Sequence, residues 1–269
     1  MAQNFRVYFR FLLVLMLMPL AAISQQHYTH QLSWLRLTVS DTISSKLEWQ
    51  LSIQRRSQNN HSTDPNIFHS FQFEGYSLSF EYSVSEKFGI AVMPLGFYRS
   101  HTLNIVPTDW ERPSTKEWRS NIQLSYETNA RYFTLLNRLS MDYRRRDFAG
   151  SDHYLNNWRL RYMLRFEKDV LGIFSDVKPV TFTIFDEVFF QSGEAVKNNK
   201  YLFDQNRLFG GASYEIFRNT TLTLGYAYGF QIRPSGDQCD YINSYYAALT
   251  FDNLFSQFSK TKTKLKRNM

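Results

Sequence analysis

The sequence predicts an all-β protein: an antiparallel transmembrane β-barrel of 10–12 strands with long extracellular loops and short periplasmic turns. Three observations predict it. Between Asn157 and Glu167, Trp158, Leu160, Tyr162, Leu164 and Phe166 alternate with Arg159, Arg161, Met163, Arg165 and Glu167, and only a strand sends successive side chains to opposite faces in that way. About ten further segments carry the same pattern, with one aromatic and apolar face and one polar face, as barrel walls do between lipid and lumen. No apolar run after the N-terminal one is long enough for a spanning helix.

The N-terminal stretch fits export. Arg6 and Arg10 precede an apolar run from Phe11 to Ile23, and Ala22 and Ser24 supply small residues for cleavage, so residues 1–24 are expected to be a signal peptide. Residues 25–259 would form the barrel and residues 260–269 a basic, solvated tail. Of 31 Lys plus Arg, two lie in the signal peptide and five in the tail, where no acid occurs. The remaining 24 match the 24 acids. A neutral body gives no electrostatic reason to expect nucleic acid.

The strands follow in order. Lys46 to Arg55 turns Leu47, Trp49, Leu51 and Ile53 outward. Phe71 to Tyr82 starts with Phe71 and Phe73 outward and continues with Tyr76, Leu78 and Phe80, a phase change expected to be a bulge at Gly75. Phe88 to Tyr98 contains Pro94, which cannot donate a ladder bond and predicts a local break. Trp118 to Glu127, Arg131 to Arg144, Asn157 to Glu167, Val180 to Phe190, Asp204 to Glu215, Thr220 to Gln231 and Tyr241 to Phe251 complete the wall. Thr221, Thr223, Gly225, Ala227 and Gly229 are small inward residues that leave room for bulk from the opposite wall. Counting Gln31 to Val39, eleven strands are seen. Since single-chain bacterial barrels have even counts, either that strand is partly outside the wall or another lies near Leu254 to Phe258. A soluble sandwich or lipocalin is the structural alternative.

The inward charges form the candidate site. An outer cluster comprises Arg119, Arg138, Asp142, Arg144, Arg159, Arg161, Glu187 and Arg207, with Glu187 flanked by arginines. A lower cluster comprises Glu127, Arg165, Glu167 and Glu215. Such a lumen is either locked by ion pairs or serves as a conduit or cup for a small polar or anionic solute, because arginine rings favour anions.

Catalysis is not expected. No His-X-Ser puts a histidine and a serine on one strand face. His61-Ser62 and His69-Ser70 are adjacent, as are Asp186 and Glu187, so their side chains diverge. A lipase or deacylase is the alternative. Scattered histidines and the lone Cys239, expected in a polar surface stretch, suggest no metal, disulfide or cofactor. The expected partners are outer-membrane lipids and, during biogenesis, the barrel-assembly machinery and periplasmic chaperones. A monomer is expected.

Asp186-Glu187-Val188-Phe189-Phe190, followed by Asp204-Gln205-Asn206-Arg207, with Asn137-Arg138-Leu139 and Trp158-Arg159-Leu160-Arg161-Tyr162 before them, resembles the Bacteroidota outer-membrane proteins grouped as domain of unknown function 2490. The likeness runs from about Trp34 to Phe251. It implies a barrel in the outer membrane and no assigned reaction. One departure is the lysine-rich end, since barrels commonly finish on an aromatic residue. Here that signal would be internal, at Phe251 or Phe255.

Overall fold

The computed structural model describes residues 26–60, 64–130, 132–148, 150–170 and 178–257. The signal peptide and the basic tail lie outside these residues. Eleven strands close into a barrel: β1 (Gln26–Thr42), β2 (Leu47–Gln58), β3 (Ser70–Ser83), β4 (Phe88–Ser100), β5 (Thr115–Asn129), β6 (Thr134–Asp147), β7 (Leu155–Val170), β8 (Val180–Ser192), β9 (Phe203–Phe217), β10 (Thr220–Ile232) and β11 (Gln238–Phe251). Each strand pairs antiparallel with its neighbours in sequence, and β1 closes on β11.

That closure corrects the expectation of an even count. In an up-and-down meander of odd number the first and last strands run the same way, so β1 and β11 pair in parallel, from Gln26 opposite Gln238 to Val39 opposite Phe251. Parallel pairing is slightly weaker per residue, and side chains reinforce this seam. His30 Nε2 lies 2.7 Å from Asp240 Oδ1, and Trp34 meets Tyr246 edge to face at 5.0 Å. The Asp41 carboxylate accepts the backbone N–H groups of Phe255 and Ser256 at 2.6 and 2.9 Å. The segment Leu254 to Gln257 is therefore not a twelfth strand. It turns under the barrel and ties the end of β11 to the end of β1.

The outer wall is apolar around the circumference. Leu35, Leu51, Ile53, Leu78, Val92, Ile122, Leu139, Leu160, Ile184, Leu208, Leu224 and Tyr245 are all exposed. Water would penalise so continuous an apolar surface, whereas hydrocarbon suits it. A strand of 13 residues, such as β8, is about 44 Å long and at a tilt near 40° rises about 34 Å, enough to cross a bilayer core.

Two irregularities set the inner surface. The register of β4 against β5 shifts between Met93 and Gly96, the break expected at Pro94. The phase change expected at Gly75 falls three residues earlier on the same strand: Arg56 pairs with Phe73 and Ser57 with Phe71, so Gln72 is the extra residue of a bulge on β3, and Phe73 faces the lumen with Ser77 and Ser79. The expectation misplaced the bulge because it assigned the Phe73 ring to the lipid face, whereas this ring is held inside by an arginine. Gly75 instead provides space for the Tyr98 ring, which a Cβ would strike.

The small residues of β10 are filled from the next strand, not from across the barrel. The Phe209 ring lies over Gly211 and Gly225, where an added Cβ would come within 2.7 and 2.5 Å of it. Cys239, expected at the surface, is fully buried on β11 against Phe230 and Tyr241.

At the end opposite the short turns, a 3-10 turn at Pro107–Glu111 folds the β4–β5 loop. Burial works against ionisation of Asp109, but the backbone N–H groups of Val106 and Ile105 and the Arg112 guanidinium outweigh it, holding the carboxyl below its usual range.

Candidate functional site: an arginine-lined lumen

The barrel encloses a cavity of about 790 Å³. Eleven arginines and six carboxylates line it, with no lysine, a formal excess of five positive charges. The body of the protein is neutral overall, but the fold concentrates positive charge inside. Planar guanidinium groups tolerate such crowding better than ammonium groups because they are less strongly hydrated and stack on rings.

Strand alternation delivers these side chains, and four carboxylates organise them. Glu117, on the lumen face of β5, pairs with Arg119 at 2.5 Å, Arg144 at 2.5 Å and Arg146 at 3.6 Å. Asp142 on β6 has no solvent exposure. It accepts hydrogen bonds from Arg159 at 2.8 Å, Arg161 at 3.2 Å and Asn121 at 2.6 Å. Glu187 on β8 lies 3.5 Å from Arg161 and 3.6 Å from both Arg138 and Arg207. Asp240 on β11 joins Arg233, at 2.7 Å, to His30.

The outer cluster expected from the sequence is therefore real, though it is divided among separate counter-charges. Arg159 belongs to Asp142 and not to Glu187. The lower cluster is not one. Arg165 and Glu167 pair at 3.3 Å, but Glu215 turns to Lys178 at 3.0 Å beside the β7–β8 connection, and Glu127 does not line the cavity. Glu215 sits too near its turn to reach the wall opposite.

Sequence reasoning missed Glu117, Arg146, Arg36, Arg56, Arg233 and the His30–Asp240 pair. Glu117 was legible: it is two residues before Arg119 on the same face, so extending that strand by one residue finds it. Arg56 was legible in the same way, since it continues the inward series of Gln50 and Gln54 one residue past the expected end of that strand.

Rings and guanidinium groups alternate around much of the wall. Arg119 lies over Tyr98 at 4.0 Å, and Tyr98 packs against Phe73 at 5.8 Å. Arg56 lies 4.9 Å from the Phe73 ring and 3.9 Å from that of Trp34. Arg207 lies 5.2 Å from Trp34 and 5.0 Å from Phe189, and Arg159 lies 5.4 Å from Phe189. Each ring packs against a guanidinium and favours a fixed plane for it. The buried Nε atoms of Arg56, Arg138, Arg146, Arg161 and Arg165 have no hydrogen-bond partner among the described residues. Unpaired buried donors are costly, so a wall that keeps several is suited to a transient acceptor.

The profile of the family described as Protein of unknown function (DUF2490) matches residues 31–240. The chain belongs to that family. Those residues contain the belt arginines and their counter-charges, while the strand that closes the barrel, β11, runs on to Phe251. No curated protein matches the sequence. Among solved structures, a NanC porin is similar at a TM-score of 0.42 and 12% identity, covering 77% of this chain and 91% of that one. LpxR from Salmonella typhimurium gives 0.43 and 8%, covering 78% and 83%. The siderophore receptor PirA from Pseudomonas aeruginosa gives 0.28 and 12%, covering 71% of this chain and 32% of that one. Likenesses this weak assign no function.

Outside the barrel, Asp186 stands on the face of β8 opposite to Glu187, among apolar neighbours. Its carboxylate accepts a hydrogen bond from Asn206 Nδ2 at 2.6 Å, and its paired positions are Leu164 and Leu208.

Proposed function

We propose that this protein is an outer-membrane barrel that passes small anions through a narrow, arginine-lined lumen without catalysing a reaction. The observation that carries this reading is the belt of arginines stacked on aromatic rings, with its excess of positive charge over carboxylates. A ring of fixed guanidinium groups lowers the energy of an anion in transit and raises that of a cation, and partial pairing with Glu117, Asp142 and Glu187 keeps binding weak enough for release. The apolar exterior and the export-type N-terminus support placement in the outer membrane, with the long loops outside and the short turns in the periplasm.

The test is conductance of the refolded protein in planar bilayers under a salt gradient, with Arg207→Ala and Glu187→Gln beside the parent. The reading expects a chloride-favouring reversal potential that Arg207→Ala weakens and Glu187→Gln strengthens. Silence at all voltages, or cation preference, overturns it.

A lipid-modifying enzyme is the second reading, favoured by one observation: a carboxylate, Asp186, on the lipid face, where ionisable residues are expensive and usually functional. Its hydrogen-bond partner is an asparagine and not a histidine or serine, so the arrangement provides no activated nucleophile.

A further inference from the structure

Among the described residues, no carboxylate answers the charge of Arg56, an arginine at the centre of the belt of rings and guanidinium groups. Arg119 has Glu117, Arg207 has Glu187 and Arg159 has Asp142. Among the described residues no acid lies within ion-pair distance of Arg56, and the charges that bear on it most are those of Arg207, Arg119, Arg159 and Arg36. Trp34 and Phe73 hold its plane from two sides, and its Nε is buried without an acceptor. Arg36, on the neighbouring strand, also has no acid within ion-pair distance among the described residues and donates to the Ser52 hydroxyl at 3.0 Å. A buried cation among cations is unfavourable unless an anion joins it. Arg56 therefore presents donors and charge that suit a negative group.

Resting on the reading of the lumen as an anion path, we propose that Arg56 is the seat of an oxyanion, the carboxylate or phosphate of a small solute, and that Arg36 adds affinity for a second negative charge. The planar fork of Arg56 offers paired N–H donors to two oxygens of such a group, which a spherical halide cannot accept together. Trp34 is buried between Arg56 and Arg207 and orients both, and its own N–H is occupied by Gln54 Oε1 at 3.2 Å. Rings on both sides leave the guanidinium little freedom to turn away, so the site is organised before the anion arrives.

The test uses the refolded protein in non-ionic detergent at constant ionic strength, titrated with inorganic phosphate, acetate or chloride, with heat of binding and melting temperature as readouts. Phosphate should bind saturably and raise the melting temperature, acetate should bind more weakly, and chloride should show no saturable effect. Arg56→Gln should weaken phosphate binding at least tenfold. Since it relieves repulsion among arginines, it should fold at least as well as the parent in phosphate-free buffer. Arg56→Lys keeps the charge but loses the fork, should fall between the two, and serves alone if Arg56→Gln does not fold. Arg36→Gln should reduce the preference for phosphate over acetate.

The proposal fails if phosphate and acetate act no differently from chloride, or if Arg56→Gln or Arg56→Lys binds phosphate as the parent does. It also fails if Arg56→Gln loses stability equally with and without phosphate, since Arg56 would then be a structural cation on its rings. Saturable phosphate binding in a barrel that passes no current keeps the site and removes the conduit. Anion current untouched by Arg56→Gln keeps the conduit and removes the site.

Discussion

Replacing Asp142 by Asn should destabilise the barrel more than replacing Glu187 by Gln, and ion-pair distance alone does not explain why. At an effective dielectric of about 20, charges 2.7 Å apart attract by roughly 6 kcal/mol and charges 3.6 Å apart by roughly 4.6 kcal/mol. The pairs of Asp142 with Arg159 and of Glu187 with Arg207 have those two separations, but Glu187 makes three arginine contacts against two for Asp142, so its summed attraction is no smaller.

The difference lies in hydrogen bonding. Asp142 accepts from two guanidinium groups and the Asn121 amide with no access to water. An asparagine there would set its own NH₂ against one of those donors. Arg159 would keep no acid among its described ion pairs, while Arg161 would retain Glu187 at 3.5 Å. Breaking a buried, hydrogen-bonded pair costs about 3–5 kcal/mol, and the surviving Arg161 contact places Asp142→Asn near the lower end, about 3 kcal/mol. Glu187 has three longer contacts, and its Oε1 has no hydrogen bond. Its neutralisation forfeits attraction without creating a donor clash and should cost about 1–2 kcal/mol.

Equilibrium urea unfolding in lipid vesicles, followed by tryptophan fluorescence with unfolding and refolding arms superimposed, measures both values. Equal losses, or a larger loss for Glu187→Gln, would refute the argument that hydrogen bonds and not charge separation hold the lumen together.

Gly225→Ala should cost about 1–3 kcal/mol by overpacking, because its Cβ would meet the Phe209 ring at 2.5 Å and the Gly210 carbonyl at 2.9 Å; an unchanged urea midpoint would show that the ring can move aside. Cys239 has no solvent exposure and should resist a water-soluble maleimide in the folded barrel while reacting promptly in urea. Mass spectrometry reads both states, and fast labelling of the folded protein would show that the parallel seam opens.

Much of the wall was legible in the sequence, because a strand needs only alternation to declare its faces. Trp158 through Glu167, Glu117 through Gln123 once the strand is extended to its first acid, and Arg138 through Arg144 are each read correctly by parity alone. Reading failed where parity is interrupted or where chemistry opposes habit. The bulge at Gln72 turned Phe73 inward, and Phe73 was assigned to lipid because aromatic residues usually go there.

The sequence by itself determined that this chain makes two-faced strands, which face of most of them is apolar, and that arginines and acids share the other, since side-chain direction along a strand is a local property of the backbone. Only the tertiary structure decided how many strands close, that β1 and β11 meet in parallel, which carboxylate answers which arginine, and that Arg56 has none among the described residues. Those are facts of register and closure. They depend on contacts between residues such as His30 and Asp240, which stand next to each other only because the sheet comes full circle.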